Sequence, residues 1–359
     1  MLLHRLTFDN YRNLVTGEMS AVGGINVIYG DNAHGKTNLL EAIWLFSGAQ
    51  SFRGAKDSEC IKDGEQRALL TLDFNSEGRN QTAQLIFDGK RNAVLNGVKL
   101  KSAAELAGTF KAVVFSPVHL SLIKDGPSER RRFIDTAIGQ LWPKYINLLR
   151  RYMRAMSQRN SLLKDARFHT QLFDMLEIYD GEIATLGAAI AEYRIKFINK
   201  LKATAREVYR GISGGKEQLD IDYVCTGGYT ADSMTAALKA ARADDLDTGH
   251  TSVGPHRDDL AVMINGKAAR SFGSQGQQRS AVIALKMSEA EVIFNLTNER
   301  PVILLDDVMS ELDEGRQDYI LNNINERQVF ITCCDKQSIG LLNGGAVFNM
   351  RDGILTRES

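Results

Sequence analysis

Short apolar runs and helical patterns alternate near the start of the chain. Residues 25–29 (INVIY) are apolar and bounded by turn residues, which predicts a buried strand. The apolar side chains from Leu39 to Trp44 follow at the spacing of one helix face. Residues 67–100 contain three strand-like runs separated by turn signals, which predicts an antiparallel meander.

A long helical pattern fills the middle of the chain. Apolar positions keep helical spacing from Pro127 to about Gly211, without the sustained heptads of a long coiled coil. Strand-like runs return at 217–225, at 302–306 (VILLD) and before Cys334. Because strands alternate with helices, the pattern predicts an α/β protein with a mainly parallel sheet.

The composition limits the class of protein. The chain has 359 residues, 43% hydrophobic and 25% charged, as in ordinary globular proteins. Basic and acidic residues number 44 each, so any affinity for nucleic acid must come from local patches. No signal-peptide core, no run of roughly 20 apolar residues and no C-x-x-C pair occurs in the sequence. We therefore expect a cytoplasmic protein with reduced cysteines and no membrane partner.

A phosphate-binding loop follows the first buried strand. Residues 30–37 read G-x-x-x-x-G-K-T, between a strand and a helix as this motif requires. Its glycines let consecutive amides point at phosphate oxygens, and the helix start adds positive charge. Lys36, a candidate catalytic residue, is expected to reach the β- and γ-phosphates, and Thr37 to ligate Mg²⁺. The predicted nucleotide-binding residues are Gly30, Asp31, Asn32, Ala33, His34, Gly35, Lys36 and Thr37.

Two acids end the apolar run at 302–306. Asp306 is expected to hold the water shell of Mg²⁺, as carboxylates at a strand end beside a phosphate loop do. Asp307 is the second candidate catalytic residue, because it points elsewhere and can polarise the attacking water. Two solvated acids at a strand end are the alternative, which the phosphate loop in the same chain makes the weaker one.

The order of these motifs resembles the head of ABC-type ATPases. Ser274–Arg279 (SQGQQR) lies between the phosphate loop and the acidic strand end, and Ser310–Asp313 (SELD) follows it. In that family the signature serine and glycine contact ATP bound by a partner subunit. The resemblance therefore implies that Ser274, Gly276 and Gln277 contact nucleotide across a homodimer. A plain N-capping loop is the alternative, since these residues precede a predicted helix.

The resemblance also implies the fold class and the domains. The fold would be α/β, with a P-loop ABC-type ATPase head of mixed sheet, flanking helices and antiparallel β meander, plus a mainly helical second domain. The head would consist of residues 1–110 and 250–359, and the helical domain would be inserted between them as residues 111–249.

Further motifs narrow the resemblance to the RecF family of bacterial recombination mediators. They follow the expected order over nearly the whole chain, and GPHRDD is the most distinctive. The resemblance implies ATP- and Mg²⁺-dependent binding of duplex or gapped DNA, an ATP-dependent homodimer, weak DNA-stimulated ATP hydrolysis, loading of recombinase at gaps, and the partners RecO and RecR. The motifs are DNYRN (Asp9–Asn13), SFRG (Ser51–Gly54), Ser116–Asp135, QRN (Gln158–Asn160) and GPHRDD (Gly254–Asp259).

Three positions depart from the pattern of these families. Ala33 stands where glycine is frequent, which is compatible with the loop if the backbone there is not left-handed. Cys334 stands where many ABC heads carry a histidine that contacts the γ-phosphate, so this contact has no assigned residue. Asp307 is shorter than the usual glutamate, which predicts slow hydrolysis.

Two groups of arginines are candidate contacts for DNA phosphates. Both lie on predicted helices, and the nearby Glu129 and Asp135 leave solvated helix faces as the alternative. The sequence has no zinc-finger spacing and no aromatic platform for single strands, so we expect no sequence-specific readout. The candidates are Arg130, Arg131, Arg132, Arg150, Arg151 and Arg154.

Other classes of P-loop protein would require further sequence features. Heads of the SMC or double-strand-break repair type need hundreds of heptad residues, for which 359 residues leave no room. A GTPase would carry N-K-x-D, but the nearest stretch, residues 199–202, ends in lysine. A transporter ATPase subunit and a small-molecule kinase or switch remain as alternatives, and the former would normally carry histidine at position 334.

Overall fold

The computed structural model describes residues 1–166, 169–324, 326–334 and 345–358. These residues form fifteen β-strands and ten α-helices. The strands are β1 (Leu2–Asp9), β2 (Gly17–Ser20), β3 (Ile25–Tyr29), β4 (Ala68–Ser76), β5 (Arg79–Phe87), β6 (Arg91–Leu95), β7 (Val98–Lys99), β8 (Ala112–Phe115), β9 (Leu219–Val224), β10 (Asp259–Ile264), β11 (Lys267–Ala268), β12 (Val302–Asp306), β13 (Val329–Cys333), β14 (Ala346–Arg351) and β15 (Ile354–Arg357). The helices are α1 (Lys36–Leu45), α2 (Ser121–Lys124), α3 (Pro127–Leu141), α4 (Lys144–Ala166), α5 (Phe173–Ile212), α6 (Ala231–Ala240), α7 (Arg242–Thr248), α8 (Ala269–Phe272), α9 (Gln275–Thr297) and α10 (Glu314–Asn323).

The chain divides into two compact units, and neither is continuous in sequence. β8 pairs with β12 in a sheet of the first unit, and β10 pairs with β9 in the second. The boundaries expected near residues 110 and 250 are therefore displaced, because pairing between distant strands decides where each segment belongs. The first unit comprises Met1–Leu120, Val208–Lys216 and Arg279–Ser359, and the second comprises Ser121–Glu207 and Glu217–Gln278.

A six-stranded, mainly parallel sheet carries the phosphate loop in the first unit. Its strand order is β15-β14-β3-β13-β12-β8, and only the β14–β15 pair is antiparallel. All five residues of β12 are buried, as expected for a strand covered on both faces. Because β3 and β12 run parallel with β13 between them, the loop after β3 and the acids at the end of β12 emerge at the same edge.

The second sheet of the first unit is the predicted antiparallel meander. Its order is β2-β1-β4-β5-β6-β7, and every second residue of β4 is buried, which is the alternation of a sheet with one covered face. Helix α1 buries Leu39, Leu40 and Ile43 completely in the same hydrophobic core. Burial of each such side chain stabilises the fold by about 1.5–3 kcal/mol, which fixes the helix that follows the loop.

The second unit is mainly helical with a small antiparallel sheet, β11-β10-β9. Arg159 of α4 is fully buried, and its guanidinium donates to Asp180 and Asp245 at 2.6 Å each. Asn160 Oδ1 accepts from the amide and the hydroxyl of Thr251. The QRN motif therefore holds α4 to α5 and to the segment after α7. Among the described helices, none is both long enough and apolar enough to cross a lipid bilayer.

Candidate nucleotide-binding site

An open pocket of about 390 Å³ lies in the first unit, where the loop after β3 meets α1. Gly35 caps α1 with φ of 111°, and side chains there are strained. Gly30 has φ of 152°, and a Cβ on it would lie 2.2 Å from the carbonyl oxygen of Met350. Both positions therefore require glycine, which accounts for the spacing of the motif. The pocket is lined by Asn13, Asn32, Ala33, Gly35, Lys36, Thr37, Asn38, Arg53, Asp307 and Thr332.

Ala33 has φ of 68°, so it lies in the left-handed region that alanine was expected to avoid here. An L-residue in this region costs about 1 kcal/mol relative to glycine. The Nδ2 group of Asn13 donates to the carbonyl oxygen of Ala33 at 3.0 Å, which holds that peptide in place. The condition stated for alanine at this position is therefore wrong, and a neighbouring side chain compensates for the missing glycine.

The ammonium group of Lys36 points across the loop. Lys36 is buried, and its Nζ donates to the carbonyl oxygens of Gly30 at 2.5 Å and Asp31 at 2.9 Å. The loop carbonyls thus hold the ammonium group beside the phosphate loop, where a lysine of this motif neutralises phosphate oxygens.

Thr37 and Asp306 meet at the edge of the sheet. The Thr37 hydroxyl donates to Asp306 Oδ1 at 2.8 Å, and Ser116 donates to Oδ2 at 3.1 Å. Burial raises the pKa of Asp306, the hydrogen bonds from hydroxyl groups oppose that rise, and the charge of Asp307 adds to it. A buried carboxylate beside a hydroxyl supplies the hard oxygen donors that Mg²⁺ prefers, and a divalent cation would relieve the cost of its charge. These residues fit a magnesium site.

Asp307 diverges from Asp306, as predicted from its place one residue later. It has φ of 53°, and its side chain lines the pocket. Its amide donates to the hydroxyl of Thr332 at 2.9 Å, and Ser310 Oγ lies 2.9 Å from its carbonyl oxygen. In the SELD segment, Asp313 caps α10 by accepting from the amide of Arg316.

Cys334 belongs to the same site. Its Sγ lies 3.0 Å from Asn32 Oδ1 and 3.8 Å from Lys36 Nζ. The thiol therefore contacts the phosphate loop from the position where other ABC heads carry histidine.

Four further pocket residues were not predicted as site residues, namely Asn13, Asn38, Arg53 and Thr332. Asn38 Nδ2 donates to Asn13 Oδ1 at 2.7 Å, and Arg53 Nη1 donates to Asn38 Oδ1 at 2.7 Å. Asn13 and Arg53 belong to the DNYRN and SFRG motifs, so the signal was present in the sequence. In the sequence, this signal indicated a family. Only the folded structure shows the series of hydrogen bonds that these side chains form beside the phosphate loop.

The signature residues lie in the second unit. Ser274 and Gln277 cap each other, because the Ser274 amide donates to Gln277 Oε1 at 2.8 Å and the Gln277 amide donates to Ser274 Oγ at 3.2 Å. Gly276 lies in the first turn of α9. The capping alternative thus describes the local structure, and Ser274 is also exposed at a helix N-terminus, where anions bind. Its contact with nucleotide stays a prediction.

Comparison with known proteins decides the family. Residues 2–351 match the family model described as "RecF/RecN/SMC N terminal domain". The "DNA replication and repair protein RecF" of Clostridium acetobutylicum is 38% identical over 338 residues, which cover 93% of this chain and 93% of that protein. The chain belongs to the RecF family.

Solved structures agree with the RecF assignment. The structure of "the recombination mediator protein RecF-ATP in RecFOR pathway" has a TM-score of 0.93 at 37% identity and covers 100% of this chain and 98% of its own. An Smc head domain from Pyrococcus furiosus has a TM-score of 0.57 at 16% identity, covers 100% of this chain and 96% of its own, and shows the fold alone. The predicted fold class is confirmed.

The RecF motif GPHRDD is a hydrogen-bonding centre of the second unit. Asp259 receives two bonds from the guanidinium of Arg130, at 2.6 and 2.9 Å. Asp258 accepts from the hydroxyl of Tyr223 and from both donors of Thr226. The two aspartates therefore pair with other elements of this unit, and not with the adjacent arginine of the motif.

The histidine of this motif also points inward. His256 Nε2 lies 2.9 Å from the carbonyl oxygen of Thr251, which can only accept, so Nε2 donates. Nδ1 then accepts from the hydroxyl of Tyr152 at 2.7 Å. Burial lowers the pKa of His256. These contacts give His256 a structural role in this loop.

The structure separates the candidate arginines. Arg130 is buried by its pairing with Asp259, so its guanidinium is not presented to solvent and its prediction as a DNA contact is wrong. Arg131 donates to the carbonyl oxygen of Asp258, and Arg132 lies 3.8 Å from Glu129. The exposed members are those of α4, namely Arg150, Arg151 and Arg154.

Proposed function

We propose that this protein is an ATP-dependent DNA-binding protein of recombinational repair with a weak ATPase activity stimulated by DNA. The observation that carries the proposal is that Lys36, Thr37 and Asp307 line one pocket of the first unit, while Asp306 accepts a hydrogen bond from Thr37 beside it. A DNA-binding function is supported by the names of the RecF relatives and by the exposed arginines of α4.

Lys36 and the loop amides bind and orient the phosphates of ATP in this proposal. Thr37 and Asp306 hold Mg²⁺, which neutralises charge on the transferred phosphoryl group when it is bound. Asp307 accepts a proton from the attacking water. Because its side chain is shorter than glutamate and its backbone is fixed in the left-handed region, it reaches the water poorly, and hydrolysis is slow.

A second copy of the chain completes the site in the proposal. Ser274, Gly276 and Gln277 of that copy contact the γ-phosphate from the N-terminus of α9, so ATP stabilises a homodimer that holds duplex or gapped DNA. The solved RecF relative named in the "RecFOR pathway" supports RecO and RecR as partner proteins.

The test is ATP turnover by the purified protein, with and without duplex DNA, over a range of protein concentration. Turnover is expected to rise with DNA and faster than linearly with protein. Lys36→Ala should abolish tight ATP binding. Ser274→Arg should bind ATP within about twofold of the wild type but should stay monomeric.

Two outcomes would contradict the proposal. If ATP turnover depended on neither DNA nor protein concentration, the proposed DNA-dependent dimer would be wrong. Light scattering after size exclusion measures dimerisation. If the Ser274→Arg protein still dimerised with ATP, the proposed binding of ATP between two subunits would be wrong.

A further inference from the structure

We propose that Asn13 is a positioning residue that holds the phosphate loop in its binding conformation, and that it does so because this chain has Ala33 in place of glycine. The ATP-binding part of the test rests on the proposed function, whereas a second measurement does not.

The loop is strained at one position. Ala33 has φ of 68°, in the left-handed region that a Cβ disfavours. Without an external restraint, the alanine would relax toward negative φ, and the neighbouring amides would turn away from the phosphate position. An alanine at this point therefore needs a partner that glycine would not need.

Asn13 supplies that restraint with its side-chain amide. Its Nδ2 donates to the carbonyl oxygen of Ala33 at 3.0 Å, and its Oδ1 accepts from Asn38 Nδ2 at 2.7 Å. The amide is packed so closely on the loop that a Cβ on Gly35 would lie 2.8 Å from Oδ1. One side chain thus joins the strained residue to the first turn of α1.

The turn between β14 and β15 supports Asn13 and the loop from another direction. The amide of Gly353 donates to the carbonyl oxygen of His34 at 3.1 Å, and the amide of Asp352 donates to His34 Nδ1 at 2.9 Å. Gly353 packs so tightly that a Cβ there would lie 2.0 Å from the carbonyl oxygen of Asn13. We call Asn13, Asp352 and Gly353 the clasp. The clasp therefore donates hydrogen bonds to two consecutive carbonyl oxygens of the loop, those of Ala33 and His34.

The consequence is a coupling between two positions. Asn13→Ala should weaken ATP binding about fivefold, the usual effect of one lost neutral hydrogen bond. Ala33→Gly should bind ATP up to about twofold more tightly than the wild type, because glycine adopts the left-handed conformation without strain. In the Ala33→Gly background, Asn13→Ala should weaken binding by less than about twofold.

The first experiment is a double-mutant cycle on ATP affinity, measured by titration calorimetry. Asn92→Ala is the matched control, because Asn92 also forms a side-chain hydrogen bond at the surface, to Asp88. A general loss of stability would lower affinity equally in both backgrounds. Equal losses, or wild-type affinity for Asn13→Ala, would overturn the inference.

The second experiment measures backbone amide hydrogen exchange of residues 30–37 without nucleotide. Asn13→Ala should accelerate exchange there by roughly fivefold, and Asn92→Ala should not. Unchanged exchange would overturn the inference even if the wild type bound no ATP. If the wild type bound no ATP but Asn13→Ala still accelerated exchange, the proposed function would be wrong and the inference about the clasp would stand.

Discussion

Thr332 positions both acids at the end of β12. Its Oγ1 lies 3.2 Å from Asp306 Oδ1 and accepts from the amide of Asp307 at 2.9 Å. The pairing of β12 with β13 places Thr332 opposite Asp306, so the contact follows from strand register. A threonine on a buried strand carries no sequence signal for such a role, whereas the lysine and acids of the site were predictable because their motifs are local.

The four cysteines differ in their surroundings, which predicts selective alkylation. Burial raises the pKa of Cys60, and it raises the pKa of Cys225 to about 11. Cys334 is exposed beside Lys36. Limiting N-ethylmaleimide should therefore modify Cys334 before Cys60 and Cys225, ATP should protect it, and the adduct should lower ATP affinity at least about tenfold by blocking the loop.

Peptide mapping by mass spectrometry and ATP titration of the labelled protein check this prediction. Cys334→Ala provides the control, since it should bind ATP after the same treatment. Modification of Cys334 at the same rate with saturating ATP present would contradict the placement of the thiol at the nucleotide.

Some secondary-structure elements were predictable from the local sequence pattern, whereas the place of others depends on pairing with distant strands. The strand β3, the loop and α1 were predictable because apolar spacing and glycine position are contiguous in sequence. The end of α6 and the start of α7 at Ala241, by contrast, are details that only the structure shows. The position of β8 in the parallel sheet depends on pairing with β12, which no local pattern contains.

The GPHRDD loop predicts a pH dependence of stability. Burial lowers the pKa of His256 in the folded protein below its usual value of 6.5. Below pH 6.5 the unfolded chain therefore binds a proton that the folded chain does not, and stability falls as the pH falls. The thermal midpoint should drop between pH 7.5 and 5.5 by about 2–4 °C more in the wild type than in His256→Gln.

Differential scanning calorimetry at the two pH values measures this difference. His4→Gln replaces an exposed histidine and should retain the wild-type dependence. If the thermal midpoints of the wild type and His256→Gln fell by the same amount, this histidine would not contribute to the pH dependence of stability.

At the scale of the whole molecule, the neutral formal charge hides an uneven distribution. Arg151 and Arg154 lie one turn apart and exposed on α4, whereas Arg130 is neutralised in the interior. Sequence alone could not distinguish Arg130 from the exposed arginines, because its partner Asp259 lies 129 residues away in the chain. The order of the motifs, by contrast, indicated the family without any knowledge of the fold.

The double substitution Arg151→Ala and Arg154→Ala should weaken binding to duplex DNA and leave ATP affinity unchanged. Two lost phosphate contacts should reduce the slope of log affinity against log salt by about 1.8. Fluorescence anisotropy with a labelled duplex over several salt concentrations measures this slope. Arg132→Ala is the control on α3, and an unchanged slope in the double variant would exclude α4 from the DNA surface.

The clasp joins residues that are far apart in the sequence, and this separation determines when the phosphate loop can take its shape during synthesis. Asp352 is translated 318 residues after His34 of the phosphate loop, and Gly353 follows it. The strand β14, which pairs with β3, is likewise synthesised long after the loop. A nascent chain therefore carries the loop sequence for hundreds of residues of synthesis without the restraints that shape it. Prematurely terminated products would lack a formed nucleotide site, so they could not form nonproductive ATP-dependent complexes with DNA.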